Sequence, residues 1–378
     1  VQSQPKKPSA PALDVRPAPT TEFTPLQTFE SANPMAQYDQ QPTTSPITQP
    51  SPTMSSAWNA SEQNSPYLAT DPMLHSGSYD GYQCDEMTEA TCDSAGCESN
   101  GFLGIDFGGW FSGGYHTASN DLFNNRPDRF ALHQGWLYAE RLADEDKPIG
   151  FRVDVMYGID ADDTQAFGNN PGRFDFQNGF DFGAYGWAIP QAYLELALGE
   201  WYVRAGHFFT LLGYEVVAAP DNFFYSHAIT MYNSEPFTHT GVLVNRQFGK
   251  FGVVGGWTLG WDTGFDQFAD GSNWLGGVSY AMSDSASLAY YSTAGNFGSR
   301  GDEGYAQSIV LDLALTDDLN YVIQSDYLRV NSTGEDNVGL NQYLFYTLSD
   351  KWTVGSRMEW WKGDVITGYA PHGAVLPA

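Results

Sequence analysis

No stretch of this 378-residue chain approaches the roughly 18–20 consecutive apolar residues of a membrane helix, so helical membrane spans are excluded. Positive charge is scarce. There are 17 Lys and Arg against 45 Asp and Glu, a formal net charge of −28. No basic patch exists to follow a phosphate backbone, which excludes nucleic acid as a partner. Cysteine is nearly absent, with only Cys84, Cys92 and Cys97. An odd number cannot close fully into internal disulfides, so one bridge plus a free or intermolecular thiol is expected. Their C-x7-C-x4-C spacing, even joined by His75 or an acid, lacks the tight pairs of zinc sites, and no metal is expected. No G-x-S-x-G, P-loop or H-E-x-x-H is present, so neither an enzyme nor a cofactor is expected.

Aromatic residues, at 15%, and glycine, at 40 residues, are plentiful. Three short polar turns, Ser283-Asp284, Thr316-Asp317 and Ser349-Asp350, recur every 33 residues. Apolar side chains flank each turn at every second position, and a longer Gly/Asn/Asp-rich loop separates consecutive turns. Strand, long loop, strand and short turn make a meander. Short turns at one end and long loops at the other mark a transmembrane β-barrel.

Alternation predicts strands at 106–117, 130–142, 149–158, 188–198, 201–210, 239–248, 251–262, 273–282, 286–294, 304–315, 319–330, 338–348 and 352–361. In 149–158, Ile149, Phe151, Val153, Val155 and Tyr157 share one face, and Arg152 and Asp154 the other. Period 2 alone does not say which face is inside. Trp201, Phe248, Phe251 and Trp352, at the short-turn ends, sit where an interfacial girdle would lie and favour a membrane barrel. The two-residue turn Gly199-Glu200 pairs Leu198 with Trp201, and so sets Glu195 opposite Arg204 on the polar face. That pair either stiffens a lumen wall or is an ordinary cross-strand ion pair.

Residues 1–101 differ from the rest. Their Pro, Ser, Thr and Gln, without a period, cannot bury enough apolar area to offset ordering entropy, and a disordered segment is expected there. The excess acid elsewhere lies mostly in turns and loops, where it either keeps loops soluble or makes a cation-favouring field at a pore mouth.

The runs G-F-R-V-D-V-M-Y-G-I-D-A-D from Gly150, Y-V-R-A-G-H-F-F-T-L-L-G-Y-E from Tyr202, P-D-N-F-F-Y-S-H from Pro220 and P-F-T-H-T-G-V from Pro236 resemble the outer-membrane β-barrel porins of the porin-2 group, common in planctomycetes. The resemblance covers about 102–361. It implies an all-β antiparallel barrel in outer-membrane lipid and passive diffusion of small hydrophilic solutes or ions. It names no substrate.

On this basis Arg152, Asp154, Glu195, Arg204, Asp312, Asp326, Arg357 and Glu359 are expected to line a polar lumen with a mild preference for cations. The third long loop, 211–238, carries Glu215, Asp221, Asn222, Phe223, Phe224, His227 and Glu235, with too many aromatics for a solvated loop. It is expected to fold inward and narrow the lumen. A fold over the rim or against another subunit is the alternative. A homo-oligomer is compatible with the sequence, but no contact surface is legible. A non-conducting envelope barrel is a second reading of function. An outer-membrane hydrolase built on Ser226-His227 near Asp221 and Asn222 is a third. The barrel is expected over 102–378, after export on a signal no longer present. Thirteen strands leave an odd count, so the intact protein is expected to hold about 14–18, with the chain truncated at its C-terminus.

Overall fold

A computed structural model describes residues 104–118, 123–166, 174–175, 182–349 and 351–363. The three cysteines, the 1–101 segment and residues 364–378 lie outside the described residues.

Alternating sequences this long satisfy their backbone groups by pairing with the next strand. The strands are β1 Asp106–His116, β2 Arg129–Arg141, β3 Ile149–Gly158, β4 Gly186–Ala188, β5 Ala192–Leu198, β6 Trp201–Phe209, β7 Thr238–Phe248 and β8 Phe251–Thr258. They continue as β9 Ser272–Ser283, β10 Ala286–Asn296, β11 Gly304–Thr316, β12 Leu319–Val330, β13 Glu335–Ser349 and β14 Trp352–Lys362. All lie in one antiparallel sheet. Thirteen follow in chain order from β1 to β14, and β4 pairs only with β3. No pairing between β1 and β14 occurs among the described residues.

Two strands differ most from expectation. The strand expected over 188–198 is split at Ile189, Pro190 and Gln191 into β4 and β5, because proline offers no N–H to the ladder. The strand expected over 251–262 stops at Thr258. There the chain turns at Gly260 (φ 131°) and Asp262 (φ 47°), and the Asp262 carboxylate accepts the Phe237 and Thr238 N–H groups. The long loops also hold two short helices that alternation did not predict, α1 Ile159–Thr164 and α2 Ile229–Ser234.

At the short-turn end, Leu198 pairs with Trp201 and Phe248 with Phe251 across turns whose first residue has positive φ, 62° at Gly199 and 59° at Gly249. This suits a two-residue hairpin that follows the strand twist.

Burial decides between the faces. Leu137, Leu194, Trp257 and Met358 are exposed, whereas Arg152, Asp154, Asp312 and Asp326 expose 2% or less. The apolar set faces outward and the charged set inward, the reverse of a water-soluble barrel. Trp201, Phe248, Phe251 and Trp352 are all exposed at the short-turn end. Arg246 lies over the rings of Trp201 (5.2 Å) and Phe248 (4.6 Å), as an interfacial cation would.

Candidate functional site: the inner face and the segment 211–238

Each inner-face charge has partners. Arg152 Nη1 donates to Glu140 (3.0 Å), and its Nε and Nη2 donate to both oxygens of Asp154 (2.7 and 3.2 Å). Asp154 also accepts from Trp136 Nε1 (3.1 Å) and Gln191 Nε2 (3.2 Å). Arg152 lies 4.5 Å from the Tyr138 ring centre. Glu195 and Arg204 face each other in register, as the hairpin predicts. Arg204 donates twice to Glu195 Oε2 (3.0 and 2.8 Å) and lies over Tyr193 at 4.2 Å. Asp312 accepts from Asn320 (2.7 Å). These groups belong to separate clusters along the wall, not to one ring.

The other three expected lining residues engage the segment 211–238. Arg357 Nη1 donates to Glu215 (2.7 Å), and Nη2 to the Ser226 hydroxyl (3.0 Å) and the His227 carbonyl (3.2 Å). Glu359 accepts the N–H groups of Ile229 (2.9 Å) and Thr230 (2.7 Å), and the Thr230 hydroxyl (2.7 Å). Those are the first free donors of α2, whose own N-cap, Ala228, has no side-chain acceptor. Asp326 and Glu235 are joined by Gln324, whose amide nitrogen donates to both.

Strands at both ends of the sheet meet this segment. Gln134 on β2 accepts the Ala219 N–H (3.0 Å) and donates to the Val217 carbonyl (2.7 Å). The Tyr225 hydroxyl meets His133 Nε2 (2.6 Å), whose Nδ1 meets Asp160 (2.8 Å). Opposite, Phe223 packs on Phe345 (5.1 Å), and Phe224 contacts Phe345 and Tyr343. A Cβ on Gly114 of β1 would collide with Tyr225, and one on Gly355 of β14 with Phe223. Glycine at these points lets the segment lie directly on the wall. Inside it, Asn222 braces the chain by accepting Val216 N–H (3.1 Å) and donating to the Val216 and Ala218 carbonyls (2.6 and 2.9 Å). Asp221 is exposed.

Sequence reasoning missed Gln134, His133, Gln324 and Arg300. Arg300 is buried, pairs with Glu335 (2.7 Å), and also reaches the Asn233 carbonyl. The hydrolase constellation is not assembled. The Ser226 hydroxyl accepts from Arg357, while the His227 ring rests on Phe123 (4.8 Å) and its Nδ1 lies 3.5 Å from Glu215.

Two carboxyls of the segment are tuned in opposite directions. Burial raises Glu235 well above the ordinary carboxylate value, and the Asp326 carboxylate adds to this. Burial opposes ionisation of Glu215 too, but His227, Arg357 and the Ala228 N–H outweigh it and lower the value. Asp262, which anchors the end of the segment, is pushed up to about 6 by burial. The signs follow. Glu235 and Asp262 contribute fully at acid pH, and their contribution is lost as pH rises through their raised values, for Asp262 between 3.8 and about 6. Glu215 contributes at higher pH and loses its share as pH falls through its lowered value. A fluorophore at the exposed Ile229 is therefore expected to become more mobile as pH rises, and Glu235→Gln to flatten that response. A response unchanged by Glu235→Gln would contradict the assignment.

Residues 104–374 match the family described as beta-barrel porin-2, OmpL-like. No curated protein sequence matches the chain. Similar solved structures include a BenF-like porin from Pseudomonas fluorescens Pf-5, at 12% identity over 69% of this chain and 66% of that one, with a TM-score of 0.37. An anion-selective porin from Comamonas acidovorans is also similar, at 12% identity over 68% and 89%, with a TM-score of 0.34. The outer-membrane channel DcaP of Acinetobacter baumannii gives 12% identity over 71% and 93%, with a TM-score of 0.33.

Proposed function

The chain belongs to the beta-barrel porin-2, OmpL-like family, and from that premise we propose that it is an outer-membrane channel for passive diffusion of small hydrophilic solutes and ions. The observation that carries this is the inversion of the wall. Apolar side chains cover the outward face, while the inward one carries paired charges and amides among buried apolar side chains such as Trp136, Leu243 and Leu275. A polar inner face surrounded by lipid offers hydrated solutes the hydrogen-bonding partners that hydrocarbon lacks.

The lumen is lined by Arg152, Asp154, Glu195, Arg204, Asp312, Asp326, Arg357 and Glu359 and narrowed by residues 211–238. Ties from that segment to β2 on one side and to β12, β13 and β14 on the other support a position across the lumen, not over the rim. Acids outnumber bases, which favours cations mildly, and the mixed signs argue against a dedicated phosphate pore. In a KCl gradient across a planar bilayer the reversal potential is expected to have the sign of cation preference. Clear anion selectivity would overturn that sign. Efflux from liposomes is expected to fall with solute size for uncharged sugars, and retention of all of them would contradict solute diffusion.

A further inference from the structure

Buried Glu140, Asp154, Glu195, Glu215 and Glu335 each pair with an arginine. Arg152 serves the first two, and Arg204, Arg357 and Arg300 serve the others. Glu235 and Asp326 have none. They are 3% and 2% exposed, and the donor they share is the Gln324 amide nitrogen. No cation pairs with either among the described residues.

Glu235 lines a cleft whose walls are mainly apolar, with Phe209, Leu211, Val216, Met231, Phe237 and Tyr291. Its Oε1 accepts from Gln324 (2.6 Å), and its Oε2 has no hydrogen-bond partner among the described residues. Oε2 lies against Gly213, which also lines the cleft, and a Cβ on Gly213 would collide with it. Gly213 has φ 93°, so glycine both makes this bend and leaves room for the oxygen. Glu215 borders the same cleft, but its oxygens are taken by Arg357 (2.7 Å) and the Ala228 N–H (2.7 Å). The cleft thus offers one unspent carboxyl oxygen in apolar surroundings.

We infer that this cleft binds a small organic ammonium ion, with its N–H group on Glu235 Oε2 and its hydrocarbon body against the apolar wall. A carboxylate oxygen shielded from water calls for a charged donor. A hydrated metal ion suits the cleft less, because it needs several oxygen ligands and the wall supplies one. An anion is disfavoured by Glu235 and Asp326. Burial and the Asp326 carboxylate favour the protonated form of Glu235. The ammonium supplies the positive charge that both carboxyls lack, and the proton leaves to water. The other acids that act on Glu235 are engaged, Glu215 by Arg357 and His227, and Glu359 by the N–H groups at the start of α2. The inference rests on the channel reading for access from the lumen, but its test does not need conduction.

Isothermal titration of the folded full chain in detergent with benzylammonium chloride near neutral pH tests it, with chain-free micelles as the blank. Saturable binding of one ion per chain is expected. Benzyl alcohol, which lacks the charge, and methylammonium, which lacks the apolar body, are each expected to bind at least about tenfold more weakly. Glu235→Gln, which keeps an acceptor for Gln324, is expected to weaken benzylammonium about tenfold, as loss of a charged hydrogen bond would. Leu211→Trp, which fills the cleft from its half-buried wall, is expected to weaken benzylammonium and benzyl alcohol alike. Retained heat-resistant mobility on a gel checks that both variants are folded. Absence of saturable binding, equal binding of benzyl alcohol, or an affinity untouched by Glu235→Gln would overturn the inference. A chain that conducts without binding would overturn it and leave the channel reading standing, whereas one that binds without conducting would do the reverse.

Discussion

Deleting residues 218–234 and bridging Val217 to Glu235 with a short flexible linker is expected to raise single-channel conductance severalfold. Both residues line the same cleft, which the linker must cross. The deletion removes Phe223, Phe224, Tyr225 and α2 from the inner face. It also releases Arg357 from Ser226 and His227, and Glu359 from the N-terminus of α2. Glu359 then faces water in place of backbone, while Arg357 keeps its pair with Glu215. The hydrogen bonds between wall and segment run through wall side chains such as Gln134, Gln324, Arg357 and Glu359, while β12 and β13 each pair with a strand on both sides. The barrel is therefore expected to survive. Unchanged conductance in a folded deletion variant would place the segment outside the conduction path.

The second large effect is on stability. Arg204→Met is expected to cost about 3–5 kcal/mol, because it strands the Glu195 carboxylate on a face where the pair is almost fully buried. Glu195→Gln/Arg204→Met is expected to recover most of that loss, since no uncompensated charge remains. The Tyr193 ring that now carries the guanidinium would pack against the methionine. Urea unfolding of the barrel in lipid vesicles measures both. A single variant as stable as the double one would mean that water already solvates Glu195.

Much of the wall was legible in the sequence. Period-2 alternation and turn residues located all thirteen consecutive strands, and a two-residue turn was enough to set Glu195 opposite Arg204. Alternation could not say which face was inside, because it is identical for both assignments; burial decided that. The six-residue helices α1 and α2 are too short to carry a 3.6-residue signal. Gln134, Gln324 and Glu359 hold a segment distant from them in sequence, by 129 residues in the case of Glu359 and Thr230. Contacts at such separations leave no local pattern. Aromatic density in 211–238 is the basis for expecting an inward fold, and its rings do pack on the wall, Phe223 on Phe345 and Tyr225 on His133. Arg300 was missed because a lone arginine in a loop looks like any solvated charge until Glu335 and the Trp261 ring are placed beside it.

The most direct measurement is current through a planar lipid bilayer after insertion of the purified, folded chain, with insertion verified independently by a fluorescent label. Discrete, reproducible conductance steps whose size grows with salt concentration are expected. Verified insertion without steps, under the same conditions and across the pH range in which Glu235 and Asp262 titrate, would contradict a channel and favour a structural barrel.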